Sequence, residues 1–318
     1  VSVQWLADDP DAEQRWDAFV RASWNGTFMH TRRFIGYHGD RFRDRSLVAR
    51  GAHGALVGVL PAAEDPDDAR RVVSHPGLSY GGWVHGGELR GERMRLALRS
   101  AGQRLRELGY ECLRYKAVPF FYHRVPTLDD AFALSGIGAA RYRCDITSLI
   151  DLANRPAPSA RRRRGLRRAQ RSGVVTALGD ARIADLWAIL HDNLRRRHET
   201  EPVHSCGELT DLMRRFPAEI EARYASVATR IVAGVVLFHA GPTTHAQYIA
   251  SSPEGFALSA LDLVLEESIG AAAARGSRYF DFGISTEDQG RRLNDGLYRF
   301  KNEFGAGSAL CEFHEISL

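Results

Sequence analysis

Hydrophobic positions fall in short alternating runs along most of this chain, broken by stretches where they recur every three or four residues. Alternation marks a half-buried strand, and the longer spacing marks an amphipathic helix. Val3-Gln4-Trp5-Leu6 reads as a strand, and a helix over about 11–21 follows it. The turn DDPDAE suits that helix start, since proline fits the first turn and carboxylates offset the N-terminal dipole. Runs 46–50 and 55–64, parted by Gly51 and Gly54, predict a hairpin. The polar segment EDPDDARR reads as a loop and 72–84 as an extended run. Leu89, Met94, Leu96, Leu98, Ala101, Leu105 and Leu108 predict a helix over 88–108, ended by Gly109. A strand over 111–119, a short helix over 127–135 and a strand over 142–152 complete the first half.

The second half repeats that order. Runs 225–233 and 233–240 predict one hairpin arm, Gly241-Pro242 turns the chain, and 244–252 returns. Leu258, Leu261, Leu265, Ile269 and Ala272 place a helix over about 256–274. A strand over 278–283, a short helix over 295–305 and a strand over 310–318 close the chain. The expectation is an α/β fold of mixed α+β character, with two domains of one architecture at 1–152 and 153–318. The Pro-rich stretch ANRPAPSA, 153–160, is the expected linker.

Composition narrows the function classes. The chain has 318 residues, enough for two domains, with 44% hydrophobic and 26% charged. It has no apolar run of the length a membrane helix needs, so no membrane insertion is expected. The first ten residues lack the basic and apolar regions of a signal peptide, and the four cysteines stand far apart. Both features suit a cytoplasmic protein with reduced thiols. Basic residues are nearly all arginine: Lys116 and Lys301 are the only lysines.

Asp281-Phe282-Gly283 matches the magnesium-holding tripeptide of protein kinases, but the glycine loop, strand lysine and catalytic loop that phosphoryl transfer needs are missing. A P-loop, a dinucleotide fingerprint and a GxSxG elbow are missing too. His191, His198, His204, Cys206, His239 and His245 lack the spacing of a zinc site, so no metal is expected. The basic run SARRRRGLRRAQRSG carries Arg161, Arg162, Arg163, Arg164, Arg167, Arg168 and Arg171 on one predicted helix, capped by Ser159. Guanidinium forks suit phosphates, as in an RNA backbone, a nucleotide sugar or coenzyme A, and the run does not distinguish them. In DGLYRFKNEFG, Leu297, Phe300 and Phe304 define an apolar face with Lys301 at its edge. An ammonium there is partly desolvated and suited to hold an oxyanion in acyl transfer.

At these residues the chain resembles a known family. RYFDFGIS and GLYRFKNEFGA, with the strand after them, are similar to the C-terminal end of the FemABX-like branch of the GNAT acyltransferases. The arginine run resembles the basic helix opening that family's second domain, and LRYKAVPFFYHRVP and HAQYIASSPEGFALSALDLVLEE are similar to members from bacterial biosynthetic clusters. The resemblance implies two tandem GNAT-like domains, each a mixed, mostly antiparallel sheet flanked by helices. It implies transfer of an acyl or aminoacyl group to an amine, typically from aminoacyl-tRNA as co-substrate and with no cofactor. The acceptor is expected to be a small molecule or peptide, and no DNA partner is expected. The family's motif lysine maps on to Lys301, and its basic helix on to Arg161 to Arg171, toward phosphates.

Two departures bear on the reaction partners, the first on the donor and the second, which favours a small-molecule acceptor, on the acceptor. The [Q/R]xxGx[G/A] loop that holds the pyrophosphate in acetyl-CoA-binding members is replaced by SSPEGFALSA, 251–260. No heptad run long enough for the coiled-coil arm of some members is present. Acyl-CoA is thus the alternative donor, and a non-catalytic module binding a phosphorylated ligand or RNA is a further alternative. Expected substrate-binding residues, in a cleft between domains, are Lys116, Tyr122, His245, Gln247, Tyr248, Ser285 and Asn294. Expected catalytic residues are Lys301, with Asp281 or His123 as proton acceptor.

Overall fold

The chain's two halves pack as two units whose boundaries are not those of the sequence pattern. The computed structural model describes residues 1–198 and 201–318. The first unit holds Val1–Asp145, Asp288–Arg291 and Leu310–Leu318, and the second holds Ile146–Glu287 and Arg292–Ala309. The division differs from 1–152 and 153–318 in three respects, one of them the return of Asp288–Arg291 to the first unit. The crossing falls inside a strand rather than in the Pro-rich stretch, and the last nine residues, 310–318, pack with the first unit.

In chain order the first unit begins with β1 (Ser2–Trp5), α1 (Pro10–Ala22) and α2 (Arg32–Ile35). It continues through β2 (Leu47–Arg50), β3 (Leu56–Leu60), β4 (Ala63–Asp65), β5 (Asp68–Val73) and β6 (Val84–His85). Then come α3 (Glu92–Glu107), β7 (Cys112–Lys116), α4 (Asp129–Gly136) and the start of β8 (Ala140–Asp151). One antiparallel sheet has the order β1-β2-β3-β6. In a second, β5 pairs antiparallel with β4 and parallel with β7, and Phe313 to Ser317 pair antiparallel with β7. The strands β4 and β5 replace the loop expected at EDPDDARR. Their charges pair within the hairpin, with Arg71 Nε donating to Oδ2 of the buried Asp65 at 2.7 Å, so a polar composition conceals a hairpin. The run expected to be extended over 72–84 stops at Val73, and His75 takes a left-handed φ of 66°. On α3, Met94, Leu98, Ala101 and Leu105 are buried as predicted and Ala97 joins them, whereas Leu96, and Leu108 just past the helix end, face solvent.

The second unit contains α5 (Ala160–Arg171), β9 (Val175–Leu178), α6 (Ile183–His198), α7 (Cys206–Arg215), β10 (Ile220–Val227), β11 (Arg230–Ala240) and β12 (Thr243–Ser251). After these come α8 (Pro253–Leu258), α9 (Ala260–Ala274), β13 (Tyr279–Ile284), β14 (Thr286–Glu287), β15 (Arg292–Leu293), α10 (Asp295–Asn302) and the start of β16 (Gly307–Ser317). The hydrophobic pattern predicts no element between the basic helix and 225, where β9, α6, α7 and the start of β10 lie. The predicted helix over 256–274 is two helices, parted at Ser259, whose φ is 59°. The Pro-rich stretch is no free linker: Arg155 clamps Glu266 of α9 through two bonds of 2.8 Å and donates to the Phe304 carbonyl.

The sheet of this unit runs β8-β13-β12-β11-β10-β9. Leu261, Val264, Leu265, Ile269 and Ala272 of α9 pack with Val235, Leu237, Phe280, Phe282 and Phe304, each buried Val, Leu, Ile or Phe contributing about 1.5–3 kcal/mol. Two irregularities open the middle of this sheet. The strands β12 and β13 are parallel neighbours, but they pair only from Thr243–Tyr279 to His245–Asp281 before parting. Register slips between Ala246 and Tyr248, which face Leu237 and Val236, so Gln247 has no residue opposite it. A bulge of this kind re-aims the side chains beside it.

Candidate functional site

Where β12 and β13 part, the second unit gathers three titratable groups. Asp281 ends the paired part of β13 and is buried. Its Oδ1 accepts from the Thr147 hydroxyl and from the Gly283 amide at 2.9 Å, and its Oδ2 lies 2.8 Å from His245 Nδ1. Burial alone pushes a carboxyl up, but His245, Thr147 and the Gly283 amide together hold Asp281 below the usual carboxylate range. The Asp281-Phe282-Gly283 tripeptide is thus a strand end with a bulge: Gly283 has a φ of 77°, and a Cβ on it would stand 3.2 Å from the His245 ring.

Lys301 lies on α10, which Asn294 caps by accepting from the Leu297 amide at 3.0 Å. The predicted face is rotated: Leu297 is 39% exposed, while Lys301 is 4% exposed. Its Nζ donates to the carbonyls of Gly283 at 2.8 Å and Ile284 at 2.6 Å. No acceptor for its third proton stands among the described residues. Burial lowers its pKa to about 8, opposed by the nearby Asp281 charge. The lysine is therefore a desolvated donor with one proton to give, not a snorkelling side chain at a helix edge.

The other expected residues of this unit surround that centre in unequal ways. Tyr248 lies against Trp187 at 4.9 Å between ring centroids, and its hydroxyl is 2.5 Å from His204 Nδ1. Gln247 occupies the bulge. Ser285 follows Ile284 with a buried hydroxyl that has no partner among the described residues. The side chain of Asn294 is committed to the α10 cap and to Glu287, 2.7 Å away.

The arginines of α5 divide by depth. Arg162 is buried, and it donates to Asp262 at 2.5 Å and Glu303 at 2.9 Å while its guanidinium lies over Phe300 at 4.9 Å. It holds α5 against α9 and α10, and with Asp262 and Phe300 it forms the floor of the groove that the outer arginines line. Gly165 allows the same close approach, because a Cβ there would meet Asp262 Oδ2 at 2.3 Å. Arg161, Arg164, Arg168 and Arg171 repeat at helical spacing and line a groove of about 540 Å³ with Gly255, Phe256 and Ser259. Arg163 and Arg167 are exposed outside its lining. SSPEGFALSA therefore forms one wall of a basic groove, although it lacks the loop motif expected for a pyrophosphate.

Lys116, Tyr122 and His123 belong to the first unit. Lys116 Nζ donates to the carbonyls of His75, Pro76 and Leu78 at 3.0, 3.2 and 2.6 Å, which uses all three protons. Burial lowers its pKa to about 8. Its contacts are those of a structural lysine. Tyr122 is buried, its ring centroid 4.4 Å from that of Tyr80. His123 is buried with Nε2 at 2.9 Å from the Val118 carbonyl, and burial pushes its pKa down to about 4. Thr147, the Gly283 and Ile284 carbonyls, Asp262 and Glu303 carry no local signal in the sequence, because their partners lie 17 to 141 positions away.

Comparison with known proteins agrees with this architecture. The family model of the acetyltransferase (GNAT) domain matches residues 159–302, nearly all of them in the second unit. No curated protein matches the chain in sequence. The solved structure of FemX is similar over 96% of both chains, with a TM-score of 0.70 and 13% identity. L-PGS from Bacillus licheniformis is similar over 96% of this chain and 91% of its own, with a TM-score of 0.60 and 13% identity. A tandem GNAT protein from the clavulanic acid biosynthesis pathway is similar over 99% and 98%, with a TM-score of 0.53 and 14% identity. The chain has the fold of these structures, and its residues 159–302 match the acetyltransferase (GNAT) domain.

Proposed function

We propose that the second unit forms an amide bond by transferring an aminoacyl group from aminoacyl-tRNA to the amine of a small-molecule or peptide acceptor in a biosynthetic pathway. The observation that carries this reading is Lys301, a buried ammonium fixed by two carbonyls with its third proton unclaimed. Attack on an ester carbonyl puts negative charge on oxygen, and a preorganised donor in a desolvated site stabilises it without reorganising at the moment of reaction. Tight binding of both partners supplies the rest by turning a bimolecular step into a unimolecular one.

The carrier is argued from α5. Arg161 to Arg171 spans about 15 Å at 1.5 Å per residue, long enough for successive phosphates of a nucleic-acid strand. Acyl-CoA is the second reading, because Gly255, Ser259 and the neighbouring arginines also suit a single pyrophosphate. The tandem GNAT protein of the clavulanic acid pathway is itself described with reference to AcCoA.

The test combines binding and turnover. Deacylated tRNA should bind the wild type with strong salt dependence, and R161Q/R164Q/R168Q/R171Q should lose most of that binding. Labelled amino acid should pass from aminoacyl-tRNA to an amine, and Lys301→Met should stop it. Saturable acyl-CoA binding with tRNA-independent transfer would favour the second reading. Binding without transfer from either carrier would leave a non-catalytic module.

A further inference from the structure

The acceptor amine must lose a proton, and Lys301, which acts as a donor, cannot take it. Asp281 is unsuited as well, since its carboxylate already accepts from Thr147, Gly283 and His245. We infer that His245 is the general base of the second unit, accepting the proton at Nε2, and that Asp281 is the residue that positions it. This assignment rests on the acyl-transfer reading.

Geometry fixes the tautomer. An ionised carboxylate can only accept, so the proton of the His245–Asp281 bond sits on Nδ1. That leaves a lone pair on Nε2, which has no partner among the described residues. The His245 side chain is 18% exposed against 4% for Asp281, so the imidazole reaches solvent while its anchor does not. Its location is as informative as its bonds. His245 and Asp281 form the last paired rung before β12 and β13 part, and the bulge at Gln247 comes two residues later. Gly283 links the dyad to Lys301: its backbone lies against the imidazole, its amide holds Asp281, and its carbonyl accepts from Lys301. Base and oxyanion donor are thus fixed on one short piece of backbone.

In the resulting step, the amine nitrogen bonds to the acyl carbon as its proton passes to His245 Nε2. The carbonyl π pair moves on to oxygen, where Lys301 donates its remaining N–H. When that pair returns, the bond from the acyl carbon to the carrier oxygen breaks, and the imidazolium gives its proton to that oxygen. The products are the amide and the free carrier hydroxyl, with the dyad restored. An acceptor that arrives as an ammonium first loses one proton through the same base to solvent.

Two measurements decide the matter. In the intact protein labelled with ¹⁵N-histidine, the His245 signal, assigned by its loss in His245→Gln, should show the Nδ1–H tautomer. Asp281→Asn should abolish that signature. An Nε2–H tautomer in the wild type overturns the assignment. In single-turnover transfer from mixed aminoacyl-tRNAs to glycinamide, His245→Gln should lower the rate about 10²–10⁴-fold. Added imidazole should recover part of that loss in His245→Ala and none of it in Lys301→Met. A full rate in His245→Gln, with Lys301→Met inactive, would sink the base and leave acyl transfer standing. A wild type that transfers nothing from aminoacyl-tRNA or acyl-CoA overturns the base together with the reading beneath it.

Discussion

The two lysines of the chain are solvated by backbone in different numbers, and the number separates their roles. Lys116 gives all three protons to carbonyls, whereas Lys301 gives two. Lys116→Met should therefore act on folding: each carbonyl left buried without a donor costs about 1–3 kcal/mol, read as a lower denaturant midpoint. Lys301→Met should lower kcat about 10²–10³-fold in the folded protein, the loss expected for one oxyanion donor. It should also cost some stability, because the Gly283 and Ile284 carbonyls lose their partner; a lysine at a helix edge would have cost none. The pH dependence has a definite sign. Lys301 is charged and able to donate below about 8 and loses its extra proton above it, so kcat should fall as pH rises through about 8. A rate that climbs steadily to about pH 10, the range of an ordinary lysine, would contradict this role.

Within single elements, α5 shows how far composition reaches. Its helicity, its Ser159 cap and its stop near Gly173 were legible, since caps and glycines act locally. What each arginine does was not, because the partners of Arg162 lie 100 and 141 positions away. Breaking that buried pairing by Arg162→Met should cost about 3–5 kcal/mol through the carboxylates it strands. The groove variant R161Q/R164Q/R168Q/R171Q should instead keep the wild-type melting temperature and flatten the salt slope of tRNA binding by about 0.7 for each phosphate it no longer neutralises. A variant pair that behaves the other way round would reverse the division between structural and ligand-facing arginines.

For the molecule as a whole, the chain first enters the second unit inside β8, returns to the first unit over Asp288–Arg291, and finally leaves the second unit inside β16. The final strand pairs with β7 over five residues and adds Ile316 to the core of the first unit. A chain ending at Ala309 should therefore lose hydrogen-exchange protection at residues 112–116, with the amides of β10 to β12 little changed. Unaltered protection of β7 would show that the strand is dispensable to the first unit. The truncation also separates this division from a simple cut at 152, which would have left the first unit untouched.

The sequence by itself determined much of the succession of elements, the α/β class, the likeness to GNAT acyltransferases and the presence of a lysine on a short helix near the end. These follow from periodicity, caps and turns, which act over a few residues. It did not reveal the β4–β5 hairpin, whose charged composition reads as loop, or the elements between the basic helix and 225. Only the tertiary structure decided that His245 meets Asp281, that Arg162 turns inward and that Lys301 keeps one proton unclaimed. Periodicity reports that a residue is buried, whereas its partner is chosen by strand pairing and helix packing across 17 to 141 positions, where local pattern carries no information.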